Sequence, residues 1–334
     1  MLFTLARILS CFVLFIGFVY QPTASADQGN VATGEGALAG DHPRVIVSTD
    51  IGGSDPDDFQ SLVHLLLYAD VLDLEGIISS PPHEGRVKHI AEVIDAYEAD
   101  FPRLQRNSGN QYPTPQALRD IAVQGAIEAA PAKGWSQPTN GSRLIVQRAK
   151  ANDDRPLWIL VWGSITDVAQ AVHDDPSIKD KLRVYSIGSW NTRHDQAARD
   201  FLFNRHTDLW WIESNTTFRG MYMGGKQDGE WGNLEFVKRN VRNHGALGEL
   251  FWNKKRDIKM GDTPSLLYLL KGPPEDPTGE HWGGSFFATE HGPHYWTDSP
   301  KAELRENNRD GAKTVNRWRH DYLRDWKARM NALK

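Results

Sequence analysis

Four aspartates, Asp50, Asp55, Asp57 and Asp58, fall within nine positions of the stretch VIVSTDIGGSDPDD at 45–58. Carboxylates so close together repel one another unless a positive charge sits among them. A hard divalent cation with oxygen ligands meets that need. Ca²⁺ suits such a loop better than Mg²⁺, because it accepts many protein oxygens in irregular geometry. Helix capping and turn formation account for one or two aspartates at a helix start, but not readily for four.

The elements around this loop must hold it still. Val45, Ile46 and Val47 form a short apolar run of the kind that makes a buried strand, and Gly52, Gly53, Ser54 and Pro56 forbid its continuation. An apolar helical pattern then covers 59–68. Further strands are expected at 74–79, 157–161 and 183–187, with helices at 87–97, 115–130, 144–151 and from Gly163-Ser164 through Val172. A closing helix is expected at 315–333. Strand, loop and helix alternate, which implies an α/β fold with a mostly parallel central sheet and helices on both faces.

In such sheets the ligand crevice lies beyond the carboxyl ends of the strands. That rule selects 50–58, 81–86 with His83 and Glu84, 162–167, and 188–195 with Trp190, Asn191, Arg193 and His194. Asn204, Asp208, Glu213, Asn215 and the run Gly261-Asp262-Thr263-Pro264 follow further on.

Residues 1–26 read as a secretory signal peptide: Arg7 is the only charge, 8–20 is apolar, and Ala24-Ser25-Ala26 offers a cleavage site. Export to a periplasm or beyond follows, with 27–42 as a flexible lead-in and 43–334 as one domain. The single cysteine, Cys11, leaves with the leader, so no disulfide is available to the exported chain. The apolar stretch is too short to span a bilayer, which needs roughly 20 such residues. A net charge of −5 argues against nucleic acid or an anionic membrane as partner. A small sugar or nucleoside remains, and a homo-oligomer is compatible with the composition.

The acidic loop, GSITDVAQAV from Gly163, FNRHTD from Phe203 and GDTPSLLYLL from Gly261 together resemble the inosine-uridine nucleoside hydrolases. The chain is most similar to their exported branch, the nucleoside-hydrolase-like domain of cellulose-binding Sde182-type proteins. The resemblance spans about 43–300 and implies the residue roles that follow. Asp58 matches a bidentate calcium ligand, Thr166 a residue that ligates through its main-chain carbonyl, and Asp262 the distal ligand. Asp57 and Asn204 match groups that bind sugar hydroxyls. Asp50 matches the aspartate that both ligates the metal and activates water, with Asp55 an extra ligand in a longer loop. A second register would leave Gly52 or Asp55 in the base position instead. Gly261 stands where the family often has a histidine that helps the leaving base depart, and Leu202 where it commonly has glutamate.

The chemistry so implied is a metal-positioned water attacking the anomeric carbon of a ribosyl or related furanosyl substrate, either nucleoside or glycoside. Twelve tryptophans, among them Trp162, Trp190, Trp210, Trp211, Trp282 and Trp296 near the selected segments, offer flat faces to sugar rings or bases. Trp190, Asn191 and Glu213 join the substrate-binding candidates. His206, His281, His291, His294 or Glu213 is available to replace the lost acid. Two other readings stay open: a non-catalytic binder of cell-wall polysaccharide, and, more weakly, a phosphatase with an aspartyl nucleophile, which lacks the expected DxD spacing at Asp50.

Overall fold

Fully buried β-branched runs make the centre of this fold. In the computed structural model, which describes residues 42–53, 55–80, 84–108 and 111–334, every residue of β1 (Arg44–Thr49) is buried. Eight strands form one sheet: β1, β2 (Asp73–Ser79), β3 (Ala122–Gln124), β4 (Leu157–Val161), β5 (Leu182–Ile187), β6 (Trp211–Ser214), β7 (Phe286–Ala288) and β8 (Tyr295–Asp298). Their order is β3-β2-β1-β4-β5-β6-β8-β7, and every neighbour pair is parallel except β7 with β8. The mostly parallel α/β sheet expected from the sequence is therefore present. The leader at 1–26, most of the lead-in, Ser54, Pro81 and His83 lie outside the described residues.

Alternation along the strands divides the core between the two faces. Val45 and Val47 face Leu62, Leu66 and Tyr185, while Ile46 joins Ile159, Val161 and Val184 on the other side. A sheet covered on both faces needs apolar side chains at nearly every strand position, hence the unbroken VIV and LWILV runs. Ser48 pairs with Ile78 on one side and Val161 on the other, so β1, β2 and β4 end level. Their following loops meet at one edge.

Several expected elements differ. The helix foreseen at 115–130 stops at Asp120: Thr114 caps it and Pro115 opens it, and then Ala122–Gln124 adds an edge strand to β2. Ile121 and Val123 suit a pleated edge better than a helix interior. The helix expected at 87–97 runs on to Ser108, and that expected at 144–151 begins at Asn140 behind a Thr139/Ser142 capping box. The closing helix is split into Lys313–Asn316 and Arg319–Asn331. Strands β6, β7 and β8 had no counterpart in the sequence reading. Among the described residues no helix is long and apolar enough to cross a membrane.

Candidate functional site

The turn after β1 is fixed before any side chain of the site is placed. Gly53 N–H donates to the Asp50 carbonyl at 3.0 Å, and Ile51 N–H to Thr49 Oγ1 at 3.1 Å. Gly52 has φ +92, and a Cβ there would lie 1.9 Å from the His89 ring, so only glycine fits. The loop then delivers Asp57 and Asp58 as the first residues of the helix Asp57–Leu66, where the helix N-terminus favours negative charge. From the far side comes Asp262, which precedes the helix Thr263–Leu270 yet makes no capping bond with its side chain.

Carboxylate oxygens of Asp57, Asp58 and Asp262 lie within 4.8 Å of one another. Asp58 and Asp262 are almost wholly buried, and Asp262 Oδ2 has no hydrogen-bond partner. Thr49 Oγ1 donates to Asp58 Oδ1. Burial raises the Asp58 carboxyl well above the ordinary range, and the charges of Asp50, Asp262 and Asp57 raise it further. Burial raises Asp262 in the same way, with Asp57, Asp50 and Asp55 adding to it. Asp57 is pushed up to about 7 by burial and by Asp55, with Lys259 opposing. A buried acceptor without a donor and three mutually repelling carboxylates describe a place for a cation. The donor set is all oxygen and hard, which fits Ca²⁺ or Mg²⁺ rather than a softer metal.

These groups form the floor of a cavity of about 250 Å³. Asp50 stands in its lining, and Gly163 packs so closely on it that a Cβ at 163 would lie 2.6 Å from Asp50 Cβ. Trp162, at the end of β4, donates through Nε1 to Ser265 Oγ at 2.8 Å, and its carbonyl accepts from Asn191 Nδ2 at 2.7 Å. Asn191 Nδ2 also reaches the Ile187 carbonyl at 3.0 Å. Trp190 stands at the lip with 52% of its surface exposed. Asp50, Asp57, Asp58, Asp262, Trp190 and Asn191 are thus brought together.

Other sequence candidates are placed elsewhere. Asp55 sits at the rim in an ion pair with Lys259 at 2.5 Å and is outside the three-carboxylate cluster. Thr166 is the first residue of the helix Thr166–Asp174, so its carbonyl points along that helix, and its hydroxyl donates to Asp195 Oδ2 at 2.8 Å. The main-chain oxygen that β4 leaves beside Asn191 is that of Trp162. Asn204 is exposed on the outer helix Gln196–Arg205, in a shallow depression with Trp135 and Phe201. Glu213 is buried and outside the cavity lining, bonded to Arg199 Nη2 at 2.7 Å and to the Tyr295 hydroxyl. His281 is stacked on Tyr268 and His291 on Phe203, and neither they nor His206 and His294 line the cavity.

Sequence reasoning missed a further stretch of the lining: Phe218, Arg219, Tyr222 and Lys259. The first three lie in the segment after β6, positioned by Asp298, which accepts from the backbone N–H groups of Asn215, Thr216 and Thr217 at 2.9–3.1 Å. The available signal was the strand-end rule itself, applied to β6.

A family model described as "Cellulose-binding Sde182, nucleoside hydrolase-like domain" matches residues 44–286. A nucleoside hydrolase-related hypothetical protein from Saccharophagus degradans, associated with carbohydrate metabolism, is similar in structure with TM-score 0.69 and 26% identity over 88% of this chain and 72% of its own. The effector protein XOO4466 superposes with TM-score 0.52 at 14% identity, over 88% of this chain and 95% of its own. The type III effector XopQ, solved with adenosine diphosphate ribose, superposes with TM-score 0.52 at 13% identity over the same shares. At such identities these two show the fold alone. No curated protein matches the chain.

Proposed function

The chain belongs to the cellulose-binding Sde182, nucleoside hydrolase-like domain family, and from that premise we propose that it is a calcium-dependent glycosyl hydrolase acting on a furanosyl substrate. The observation that carries this reading is the buried, unpartnered Asp262 Oδ2 facing Asp57 and Asp58. Asp57, Asp58 and Asp262 would hold the cation. Bound there, Ca²⁺ would supply a positioned water of lowered pKa.

The chain's own residues do the rest. Asp50 accepts the proton of the attacking water as its oxygen bonds to the anomeric carbon. The bond to the leaving atom breaks with its electron pair going to that atom, and the carboxylates stabilise the oxocarbenium character of the sugar meanwhile. Trp190 offers its exposed face to a sugar ring or base, and Trp162 closes the inner side against water. Among the described residues no histidine lines the cavity; Tyr222, Arg219 and Lys259 are the donors available on the leaving side. The leader sequence supports an exported setting, where glycosides are as available as nucleosides.

Release from a panel of nucleosides and furanosides, with and without chelator, tests this. Turnover of at least one compound, abolished by chelator and by Asp58→Asn together with calcium uptake, is the expected result. Full activity in that variant would sink the mechanism. The second reading, a non-catalytic binder of cell-wall polysaccharide, draws on the family's cellulose-binding description and on the exposed Trp190 at the lip. Calorimetry with soluble glycans separates the two: binding without cleavage by calcium-loaded protein favours the binder.

A further inference from the structure

We infer that the ligand of this pocket carries an anionic group, phosphate or carboxylate, which the guanidinium of Arg219 clasps beside the furanosyl ring. The inference rests on the glycosyl-hydrolase reading above and narrows its substrate class to acidic glycosyl compounds.

Two basic side chains, Arg219 and Lys259, line the cavity beside the aspartates in a chain whose net charge is −5. Arg219 lines the cavity, and no carboxylate among the described residues pairs with it. Its Nη1 donates to the Tyr222 hydroxyl at 3.1 Å, its Nη2 reaches Ser189 Oγ only at 3.5 Å, and its buried Nε has no partner. A planar fork with free donors matches a carboxylate or phosphate, which takes two parallel bonds from one guanidinium. Lys259 lines the same cavity, with Nζ 5.4 Å from the centre of the Tyr222 ring, but its charge is already engaged by Asp55 at 2.5 Å, so Arg219 carries the recognition.

The backbone around this wall is held with some strain. Ser189 has φ +61, a region that a residue with a side chain seldom adopts. Its N–H is fixed to Asn215 Oδ1 at 2.9 Å, and its hydroxyl is the group next to Arg219 Nη2. The strained residue thus joins the Trp190 lip to the Arg219 wall, the kind of place where distortion tracks with ligand binding. A neutral sugar would leave the fork without a matching acceptor.

Isothermal calorimetry on the full calcium-loaded chain with methyl ribofuranoside, its 5-phosphate and its 5-carboxylate provides the test. At least one anionic compound should bind tenfold or more tighter than the neutral one, and which one does so separates phosphate from carboxylate. Arg219→Met should bring the ratio within twofold, while Arg219→Lys keeps part of it. A wild-type ratio under twofold, or a tenfold ratio that survives in Arg219→Met, overturns the proposal. Should Arg219→Met fail to fold, the Arg219→Lys comparison and the erosion of the ratio between 50 and 500 mM salt carry the same decision, and a salt-independent ratio counts against it. The parent reading fails separately: its signature is neutral-ligand binding that ignores both chelator and Asp58→Asn, whatever the anionic ratio shows.

Discussion

Gly261 stands directly against Asp57: a Cβ at 261 would lie 2.9 Å from Asp57 Oδ2 and 3.5 Å from the Phe218 ring. The space that a side chain at 261 would need is therefore taken up by a carboxylate of the cluster. Gly261→Ala should push the Asp57 carboxylate aside while leaving the fold intact, because the displaced atom is the free end of a side chain. Calcium affinity should fall about tenfold, the loss of roughly 1.4 kcal/mol of binding free energy. Urea melts should move by less than about 1 kcal/mol, as is usual for changes that leave the packed core alone. Unchanged calcium affinity would show that Asp57 is not held where the geometry puts it.

Asp262 and Asp58 repel each other across the same space, and that repulsion has a sign that can be read without any substrate. In calcium-free buffer, Asp262→Asn should raise the melting temperature, since it removes one of the crowded buried charges. With calcium the order should reverse. A ligand that binds only the native state adds about 2.7 kcal/mol at a hundred times its dissociation constant, and the variant should lose that gain. Thermal scans of both proteins with and without calcium check it, and an identical calcium shift in the two would remove Asp262 from the site.

The half of the site that was legible in the sequence is the acidic half. Asp50, Asp57, Asp58 and Asp262 announce themselves because carboxylates rarely crowd without a reason, and because VIV and LWILV are long enough apolar runs to mark strands. The basic wall was hidden by topology. Strand β6 is only WIES, four residues with a buried glutamate inside, and its neighbour β8 arrives some eighty residues later. Glu213 looked like a pocket acid because nothing in the sequence shows Arg199 and Tyr295 closing on it. Asn204 followed a motif match, but a helix has an outer face as well as an inner one, and only packing decides which side a residue takes.

Asp298 ties the basic wall to the sheet. Its carboxyl accepts from three consecutive backbone N–H groups, those of Asn215, Thr216 and Thr217, immediately before Phe218 and Arg219. Asp298→Ala should cost about 3 kcal/mol, since hydrogen bonds to a charged acceptor contribute more than neutral ones and the donors are left with none. Calcium affinity should stay within twofold, because the carboxylate cluster hangs from other elements, whereas any preference for acidic ligands should fall. Urea unfolding and calcium calorimetry on the one variant test both halves, and a stable variant with weakened calcium binding would invert the assignment.

His64 gives a pH dependence that is independent of the metal. Its ring is buried in the helix Asp57–Leu66 against Trp326, edge to face at 5.1 Å, and its Nδ1 has no partner. Burial pulls it down from the ordinary 6.5 to about 3, and the nearby Arg329 charge works in the same direction. The folded state therefore refuses a proton that the unfolded chain accepts once the pH drops below 6.5. The neutral ring's contribution is fully present above that value and is lost progressively as the pH falls towards 3. His64→Leu, which cannot titrate, should be the less stable protein at pH 7.5 and should close the gap, or overtake the wild type, by pH 4.5. Urea melts of both at the two pH values decide it: a stability difference that does not change with pH would mean that His64 takes up its proton as readily in the folded chain as in the unfolded one, and the buried neutral ring would be wrong.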